Sequence, residues 1–460
     1  MKADFDNAEE LFSRGNQHLE AKDFASAESC FRRAIEIAPD LAEVHVNLGL
    51  ALENRGVLGE AESSYFRALA LDPECVEAYV DLGALLVRRK RFQEAEEVYE
   101  AAMRAFPDSA ILWSNLGFLH ACLKREAEAE RCFRTALSLD GNYHKARFNL
   151  SYLLMRRGDF EEGLQALESR ARNLDMMAHF PDSRWRGETL VGKSLLIPIE
   201  AGYGDLIQYS RFVSVLKERG AARIAFVCHA PLTRLFATLT GLDEVVPMGG
   251  AISEADWDYW ILPFSIPLHC GTRVDSIPAP IPYLRALPDE IAAWRSRIPG
   301  SGLRVGLAWR GNPNFENDPH RSIPNLEMLS PLAAVAGVHF ISLQKGVGED
   351  EARHPPAGMA LFDPSPWIED FADTAALVTN LDLVISVDTA VAHLAGALGK
   401  PCWTLLPYYK TDARWLTDRE DSPWYPGTMR LFRQVGMDTW PAVIEEVAKA
   451  LRDLVCGGPE

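Results

Sequence analysis

Small and aromatic residues recur every 34 positions along the first part of the chain. Each copy of the repeat has room for two helices of about 13 residues around a tight turn. The recurring positions are Gly15, Gly49, Gly83 and Gly117; Ala27, Ala61, Ala95 and Ala129; Phe31, Tyr65, Tyr99 and Phe133; and Pro39, Pro73, Pro107 and Gly141. Small residues let paired helices cross closely, and the aromatic side chain fills the space against the next pair. The pattern therefore predicts a solenoid of stacked helical hairpins.

This period resembles the tetratricopeptide repeat, with four full copies and a degenerate fifth over residues 1–175. The fifth copy starts near His144, where Ser151 replaces the glycine and Gly163 replaces the alanine. Such an array can bind a peptide or protein partner on its concave face, and it can equally be a spacer or a dimer surface. The repeats alone leave both roles open.

A second pattern, near the C-terminus, alternates between hydrophobic runs and a polar turn. Its parts are a strand from Leu383 to Ile385, a turn over Ser386–Thr389, a helix from Ala390 and a strand over Cys402–Leu406. Strand, helix and strand in so short a span form a βαβ unit and predict a parallel sheet. Ligands bind at the carboxyl ends of such strands, which is where Asp388 and Thr389 are expected. The alternative is an ordinary crossover in which one of these two residues caps the helix.

Two α/β domains are predicted after the repeats, over residues 183–290 and 295–455. In the first, the strand Ser194–Ile199 leads into Gly202-Tyr203-Gly204-Asp205 and a helical run over Leu206–Arg219. The glycines permit a tight turn, and Asp205 lies at the carboxyl edge of the sheet. Asp205 can be a functional carboxylate or simply a helix cap.

In the second α/β domain, three cationic side chains follow predicted strands or lie in the loops beyond them. Arg310 follows the strand Arg304–Trp309, Lys345 follows Val338–Leu343, and Arg321 lies in the loop between these strands. Cations gathered at one edge of an acidic protein suit a diphosphate, although each of them alone could be a solvated surface residue.

Composition narrows the classes of function. The 460 residues carry a net charge of −18, from 47 basic and 65 acidic residues spread along the chain, which argues against nonspecific binding to nucleic acid or anionic membranes. The eight cysteines form no C-x-x-C pair, as expected in a reducing compartment. The first residues do not resemble a signal peptide, and no apolar run approaches the ~18 residues of a membrane span. We therefore expect a soluble, cytoplasmic protein without a membrane span.

Six segments together resemble glycosyltransferase family 9, the heptosyltransferase-like family. They are Glu200–Asp205, Trp309–Asn312, Arg321–Pro324, Ser342–Gln344, Asp370–Leu377 and Ser386–Pro401. The resemblance implies a GT-B pair of Rossmann-like domains after the tetratricopeptide α-solenoid, an α + α/β fold class. It also implies inverting, metal-independent transfer of a sugar from a nucleotide-diphosphate donor, without a cofactor. The sequence Asp256-Trp257-Asp258 looks like a metal-binding D-x-D motif, but such pairs arise readily in acidic chains, and we predict no metal site.

The resemblance also implies roles for individual residues. Asp205 would be the general base that takes the acceptor's proton. The substrate-binding residues would be Gly204, Gln208, Arg310, Asn312, Arg321, Gln344, Lys345, Asp388, Thr389, Ala390, Val391 and His393. Without a metal, a helix N-terminus and basic side chains must meet the charge of the leaving diphosphate.

Two departures limit what the resemblance carries over. Characterised heptosyltransferases generally lack the repeats, and this chain has Ala390 where many have glycine, so heptose and lipopolysaccharide are not inherited as donor and acceptor. We expect a protein or glycan acceptor, which the concave face of the repeats would hold. A repeat-bearing N-acetylglucosamine transferase is disfavoured because its motifs are missing. The non-enzymatic alternative is a scaffold with a degenerate transferase domain that only binds nucleotide sugar or protein partners.

Overall fold

The computed structural model describes residues 2–173, 183–252, 257–300 and 302–457. The chain divides into two compact units, one that ends at Leu153 and one that starts at Leu154. The boundaries proposed above for three domains stay a prediction.

Paired helices build the first unit. They are α1 (Lys2–Glu20), α2 (Phe24–Ile37), α3 (Ala42–Asn54), α4 (Leu58–Leu71), α5 (Val76–Arg88), α6 (Phe92–Ala105), α7 (Ala110–Cys122) and α8 (Glu126–Leu139); α9 (His144–Arg157) and α10 (Phe160–Leu167) follow. The two helices of a pair meet at the predicted positions: a Cβ atom added to Gly49 would lie 2.5 Å from the ring of Tyr65, and one added to Gly83 would lie 2.4 Å from Tyr99. Only glycine allows this approach, and the predicted tetratricopeptide solenoid is confirmed.

Two parallel sheets form the framework of the second unit. The strands are β1 (Ser194–Ile197), β2 (Arg223–Cys228), β3 (Glu244–Pro247), β4 (Tyr259–Trp260), β5 (Leu303–Ala308), β6 (Val338–Ser342), β7 (Leu361–Phe362), β8 (Leu383–Val387), β9 (Cys402–Leu406) and β10 (Met429–Arg433). The four-stranded sheet has the order β3-β2-β1-β4 and the six-stranded sheet the order β10-β9-β8-β5-β6-β7. Every pairing within the two sheets is parallel. The predicted α/β region is therefore confirmed.

Helices cover these sheets. They are α11 (Tyr203–Tyr209), α12 (Phe212–Glu218), α13 (Thr233–Phe236), α14 (Ile266–Cys270), α15 (Pro288–Arg297), α16 (Asp318–Arg321), α17 (Ser330–Ala333), α18 (Phe371–Thr379), α19 (Ala390–Ala397) and α20 (Trp440–Gly457). One buried apolar cluster includes Leu206 of α11, Leu377 of α18 and Ala395 of α19. The core thus continues from the helices of the first sheet to those of the second, and it fixes α11 against α19.

The predicted helix Leu206–Arg219 is wrong as a single element. It is interrupted between α11 and α12, where Ser210 Oγ donates to the carbonyl of Ile207 and Arg211 Nε donates to the carbonyl of Gln208. These side chains compete with the backbone for helical acceptors. The side chain of Arg211 is buried.

Among the described residues, no helix combines the length and the apolar character that crossing a bilayer requires.

Candidate functional site

The turn after β8 leaves the start of α19 uncapped. Thr389 occupies the N-cap position, but its hydroxyl lies 3.0 Å from Ser386 Oγ and makes no cap to the helix. The backbone N–H groups at Ala390 and Val391 therefore have no side-chain acceptor at this end. Residues 388–391 are half-buried, whereas β8 before them is fully buried. This accessible end of α19 suits an anion.

The carboxylate of Asp205 divides its two oxygens between two partners. Its Oδ2 accepts a hydrogen bond from the backbone N–H of Gly202 at 3.2 Å, which secures the first turn of α11. Its Oδ1 faces the guanidinium of Arg414 at 2.5 Å. Gly202, rather than Asp205, occupies the N-cap position. The carboxylate thus supports the turn with one oxygen and pairs with a cation through the other.

Gly204 lets α11 approach α19. A Cβ atom at this position would lie 2.7 Å from Cδ2 of His393 and 3.4 Å from Cα of Ala390. The glycine is needed for this close approach, and it brings the predicted base next to the predicted donor-binding turn.

Arg414 connects the predicted residues of the two sheets. It lies in a short turn after β9, and its Nε contacts Asp412 Oδ1 at 2.9 Å. Its Nη1 donates to Gln208 Oε1 at 2.7 Å and lies 3.3 Å from Nε2 of His393, while its Nη2 contacts Asp205. These carboxylates raise the pKa of Arg414 further above its usual value, so the guanidinium stays charged. One cation therefore joins Asp205 and Gln208 to His393.

The imidazole of His393 is buried and neutral. Burial lowers the pKa of His393, and the charge of Arg414 adds to that effect. A guanidinium can only donate hydrogen bonds, so Nε2 of His393 accepts from Arg414 and Nδ1 donates to the hydroxyl of Tyr425 at 2.8 Å. The ring also stacks on Trp415, with centroids 5.3 Å apart. These three contacts fix the orientation of the imidazole.

Asp388 remains ionised beside this group. Its Oδ1 lies 3.7 Å from Nε2 of His393. Burial disfavours the carboxylate, but the nearby charge of Arg414 favours it, and the pKa of Asp388 lies below its usual value. The site therefore presents two carboxylates, Asp205 in contact with the guanidinium of Arg414 and Asp388 beside His393.

Four other predicted residues form a separate cluster at the carboxyl ends of β5 and β6. Gln344 Oε1 accepts hydrogen bonds from the backbone N–H groups of Trp309 and Arg310, both at 3.0 Å. Arg310 contacts Glu351 at 3.1 Å. Arg321 contacts Asp318 at 2.9 Å, and Lys345 contacts Glu349 at 3.4 Å. The three cations thus lie at one edge of this sheet, and each of them has a nearby carboxylate.

Two further candidates have local structural contacts. Asn312 Oδ1 accepts a hydrogen bond from the backbone N–H of Asn314 at 3.0 Å within an exposed turn. Asp258 binds Lys193 Nζ at 2.9 Å and the N–H of Ser194 at 2.8 Å, at the end of β1 opposite to Asp205. These bonds lower the pKa of Asp258 to about 2. Asp256, the other acidic residue of the D-x-D pattern, lies outside the described residues. No group of three or more potential metal ligands occurs within the described ranges.

Sequence reasoning missed Arg414 and Tyr425. Both lie in the segment after β9, where the chain has no regular pattern and only the aromatic content attracts notice. Tyr425 reaches His393 because Gly396 makes room for its ring: a Cβ atom there would lie 2.3 Å from Cδ1 of the tyrosine. This aromatic segment thus contributes both packing and a hydrogen bond to the site.

Family models match two different parts of the chain. Tetratricopeptide repeat models match residues 8–41, 58–110 and 110–143, and the model of glycosyltransferase family 9 (heptosyltransferase) matches residues 369–415. The chain is 28% identical to Protein FlbA of Caulobacter vibrioides over 67% of its own length, and it covers 55% of that protein. The chain spans about half the length of this curated relative.

Two solved structures are similar to part of the chain. PilF of Pseudomonas aeruginosa has a TM-score of 0.37 and 20% identity, covering 47% of this chain and 87% of that chain. MamA of Desulfovibrio magneticus RS-1 has a TM-score of 0.32 and 21% identity, covering 37% and 98%. From the family models, the chain combines tetratricopeptide repeats with a C-terminal segment similar to glycosyltransferase family 9.

Proposed function

We propose that this protein is an inverting glycosyltransferase of the GT-B type that uses a nucleotide-diphosphate sugar and needs no metal. The observation that carries the proposal is the meeting of Asp205, from the first sheet, with His393 and Asp388, from the second, around Arg414. The family 9 match over residues 369–415 includes β8, the turn and α19, and so covers the donor side of this group. Carboxylates, a half-buried cation and an uncapped helix end are the parts that such transfer requires.

In the proposed reaction, the acceptor's hydroxyl oxygen attacks the anomeric carbon of the sugar. Asp205 takes the hydroxyl proton as the new carbon–oxygen bond forms. The bond between the anomeric carbon and the phosphate oxygen breaks on the opposite face, and its electron pair leaves with the nucleoside diphosphate. Arg414 and the backbone N–H groups at the start of α19 meet that charge. The configuration at the anomeric carbon is inverted.

The second cluster, around Arg310, has the chemistry to hold the rest of the nucleotide. Arg321 lies over the ring of Phe315, 4.6 Å from its centroid, and that ring is 48% exposed. Trp367 is also exposed and stacks on Phe362 with centroids 6.0 Å apart. Lys345 Nζ donates to the carbonyl of Ser365, two residues before this tryptophan. Exposed aromatic faces beside cations suit a nucleobase and a phosphate.

The repeats are proposed to bind the acceptor, a protein or a glycan. Such arrays present extended concave surfaces that hold partner chains. The described residues of the transferase region do not identify the acceptor, so the test begins with the donor.

The function is tested by a thermal-shift screen of nucleoside diphosphates and nucleotide sugars on the full chain. A specific ligand raises the melting temperature by mass action. The release of nucleoside diphosphate from the sugar donor so identified is then measured with candidate acceptors, for the parent and for Asp205→Asn. Loss of a general base should lower kcat by about 10²–10⁴-fold while donor binding is retained.

Asp258→Asn is the matched control, since Asp258 lies at the other end of β1 and its pairing is structural. It should keep kcat within about threefold once its folding is verified by thermal unfolding. If Asp205→Asn also stays within threefold, Asp205 is not the base. If no nucleotide binds, the protein is a scaffold rather than a transferase.

A further inference from the structure

Arg414 has two kinds of anionic partner. Asp412 belongs to its own turn and grips the guanidinium through two nitrogens, with Nε at 2.9 Å from Oδ1 and Nη2 at 3.2 Å from Oδ2. The same carboxylate accepts a hydrogen bond from the backbone N–H of Arg414 at 3.0 Å. Asp205 comes from the other sheet and contacts one nitrogen, Nη2. The bond to Asp412 is a local anchor, whereas the bond to Asp205 can break without disturbing the turn.

The guanidinium also reaches the donor side of the site. Its Nη1 lies 3.3 Å from Nε2 of His393, which in turn lies 3.7 Å from Asp388 Oδ1. A phosphate bound at the start of α19 would therefore lie within the reach of a side-chain rotation of Arg414. Arginine suits such a role because its planar fork can hold Asp412 and a phosphate oxygen together.

Both carboxylate oxygens of Asp205 already have a hydrogen-bond donor, Arg414 at Oδ1 and the backbone N–H of Gly202 at Oδ2. An acceptor hydroxyl must hydrogen-bond to one of these oxygens before it can transfer its proton. The proposed function requires the same carboxylate to accept a proton. Something must therefore remove the cation before the reaction.

We propose that Arg414 is an exchange cation, which holds Asp205 while the donor site is empty and passes to a donor phosphate when nucleotide binds. The inference rests on the proposed function and adds to it a trigger: donor binding frees the base. Asp205 then takes the acceptor's proton, and the electron pair of the broken bond between the anomeric carbon and the phosphate oxygen stays on the phosphate beside Arg414. Asp412 stays hydrogen-bonded to the guanidinium of Arg414 throughout the exchange.

Reciprocal effects on binding distinguish this exchange from a static ion pair. Nucleoside diphosphates alone serve as probes, measured by calorimetry on the full chain. Arg414→Gln should weaken their binding by about tenfold to a hundredfold, the range for a charge-assisted hydrogen bond. Asp205→Asn should tighten it by about threefold to tenfold, since the phosphate no longer competes with a carboxylate for Arg414. In the double variant that combines Arg414→Gln and Asp205→Asn, the asparagine should no longer tighten the binding of nucleoside diphosphate.

Two further variants check folding and charge. Arg419→Gln removes an exposed arginine that pairs with Asp421 at 2.7 Å, and it should leave binding unchanged. Arg414→Lys keeps the charge without the fork and should restore part of the affinity lost in Arg414→Gln. Thermal unfolding of each variant establishes that the chain is folded.

The outcomes separate the two claims. If Arg414→Gln binds nucleoside diphosphate like the parent, the exchange is refuted and the transferase proposal stands. The exchange also fails if Asp205→Asn weakens or does not change binding, or if its effect persists without Arg414. A parent chain that binds no nucleoside diphosphate overturns both.

Discussion

Gly204 gives the most direct test of whether the contact between α11 and α19 matters for activity. In Gly204→Ala, the new Cβ atom would lie 2.7 Å from Cδ2 of His393, whereas carbon atoms pack at about 3.5–4.0 Å. His393 cannot move aside easily, because Tyr425 holds its Nδ1 and Trp415 stacks on its face. The two helices must therefore separate by about 1 Å, and a displacement of that size can lower kcat by about 10²-fold.

The assay is release of nucleoside diphosphate by the full chain at saturating donor and acceptor. Overpacking also costs stability, by about 1–3 kcal/mol, so thermal unfolding is measured in parallel. Gly202→Ala is the matched control: its φ of −73° suits alanine, and its Cβ atom would meet Asp205 Oδ2 at an ordinary 3.5 Å. The alanine keeps the backbone N–H that donates a hydrogen bond to Asp205. A Gly204→Ala variant whose rate stays within threefold of the parent's would show that the approach of the helices is not needed for activity.

Three further predictions concern other parts of the chain. Arg321→Ala and Lys345→Ala should each raise the donor Kd by about tenfold, as loss of a charge-assisted phosphate contact does; calorimetric values equal to the parent's would remove that cluster from the donor site. Gly83→Ala should lower the free energy of unfolding by about 1–3 kcal/mol, because the methyl group overlaps an aromatic ring, while Gly59→Ala, with nothing within 4 Å, should not destabilise; equal denaturation midpoints would contradict the packing. Burial raises the pKa of Asp81 from its usual 3.8 to about 6. Between these two values the folded state binds more protons than the unfolded state, so Asp81 lowers stability as the pH rises; Asp81→Asn should raise the melting temperature at pH ~7.5 and barely change it near pH ~4, and a gain confined to acid pH would refute this assignment.

The repeats were predictable because their contacts are local and periodic. Each glycine faces an aromatic residue 16 positions later, as Gly83 faces Tyr99, and the same pair returns in the next copy. The βαβ unit was predictable for a similar reason, since β8, α19 and β9 are consecutive and each has its own hydrophobic pattern. Short strands such as β3 and β7 were missed, because a strand of a few half-buried residues carries little periodicity.

The interruption between α11 and α12 shows where a hydrophobic pattern misleads. Leu206, Val213 and Leu216 are all buried with helical spacing, and the pattern continues through Ser210 and Arg211. At the interruption, Arg211 also contacts residues far along the chain, because its Nη1 donates to the carbonyls of Pro278 and Trp424. Hydrophobic spacing carries no information about that contact, because it depends on tertiary structure.

Arg414 was missed for the same reason, and its position explains why the site could be predicted only in part. Asp205 and Asp388 stand out in the sequence because each follows a strand and precedes a helix, which is a local signal. The residue that joins them lies in an irregular turn, 209 positions after Asp205, and no periodic pattern marks it. Its role arises only when two parallel sheets bring their carboxyl edges together, as Gly204 allows. In a two-sheet protein of this kind, the carboxylates can therefore be found from the strands that precede them, whereas the cation between them must be found from the structure.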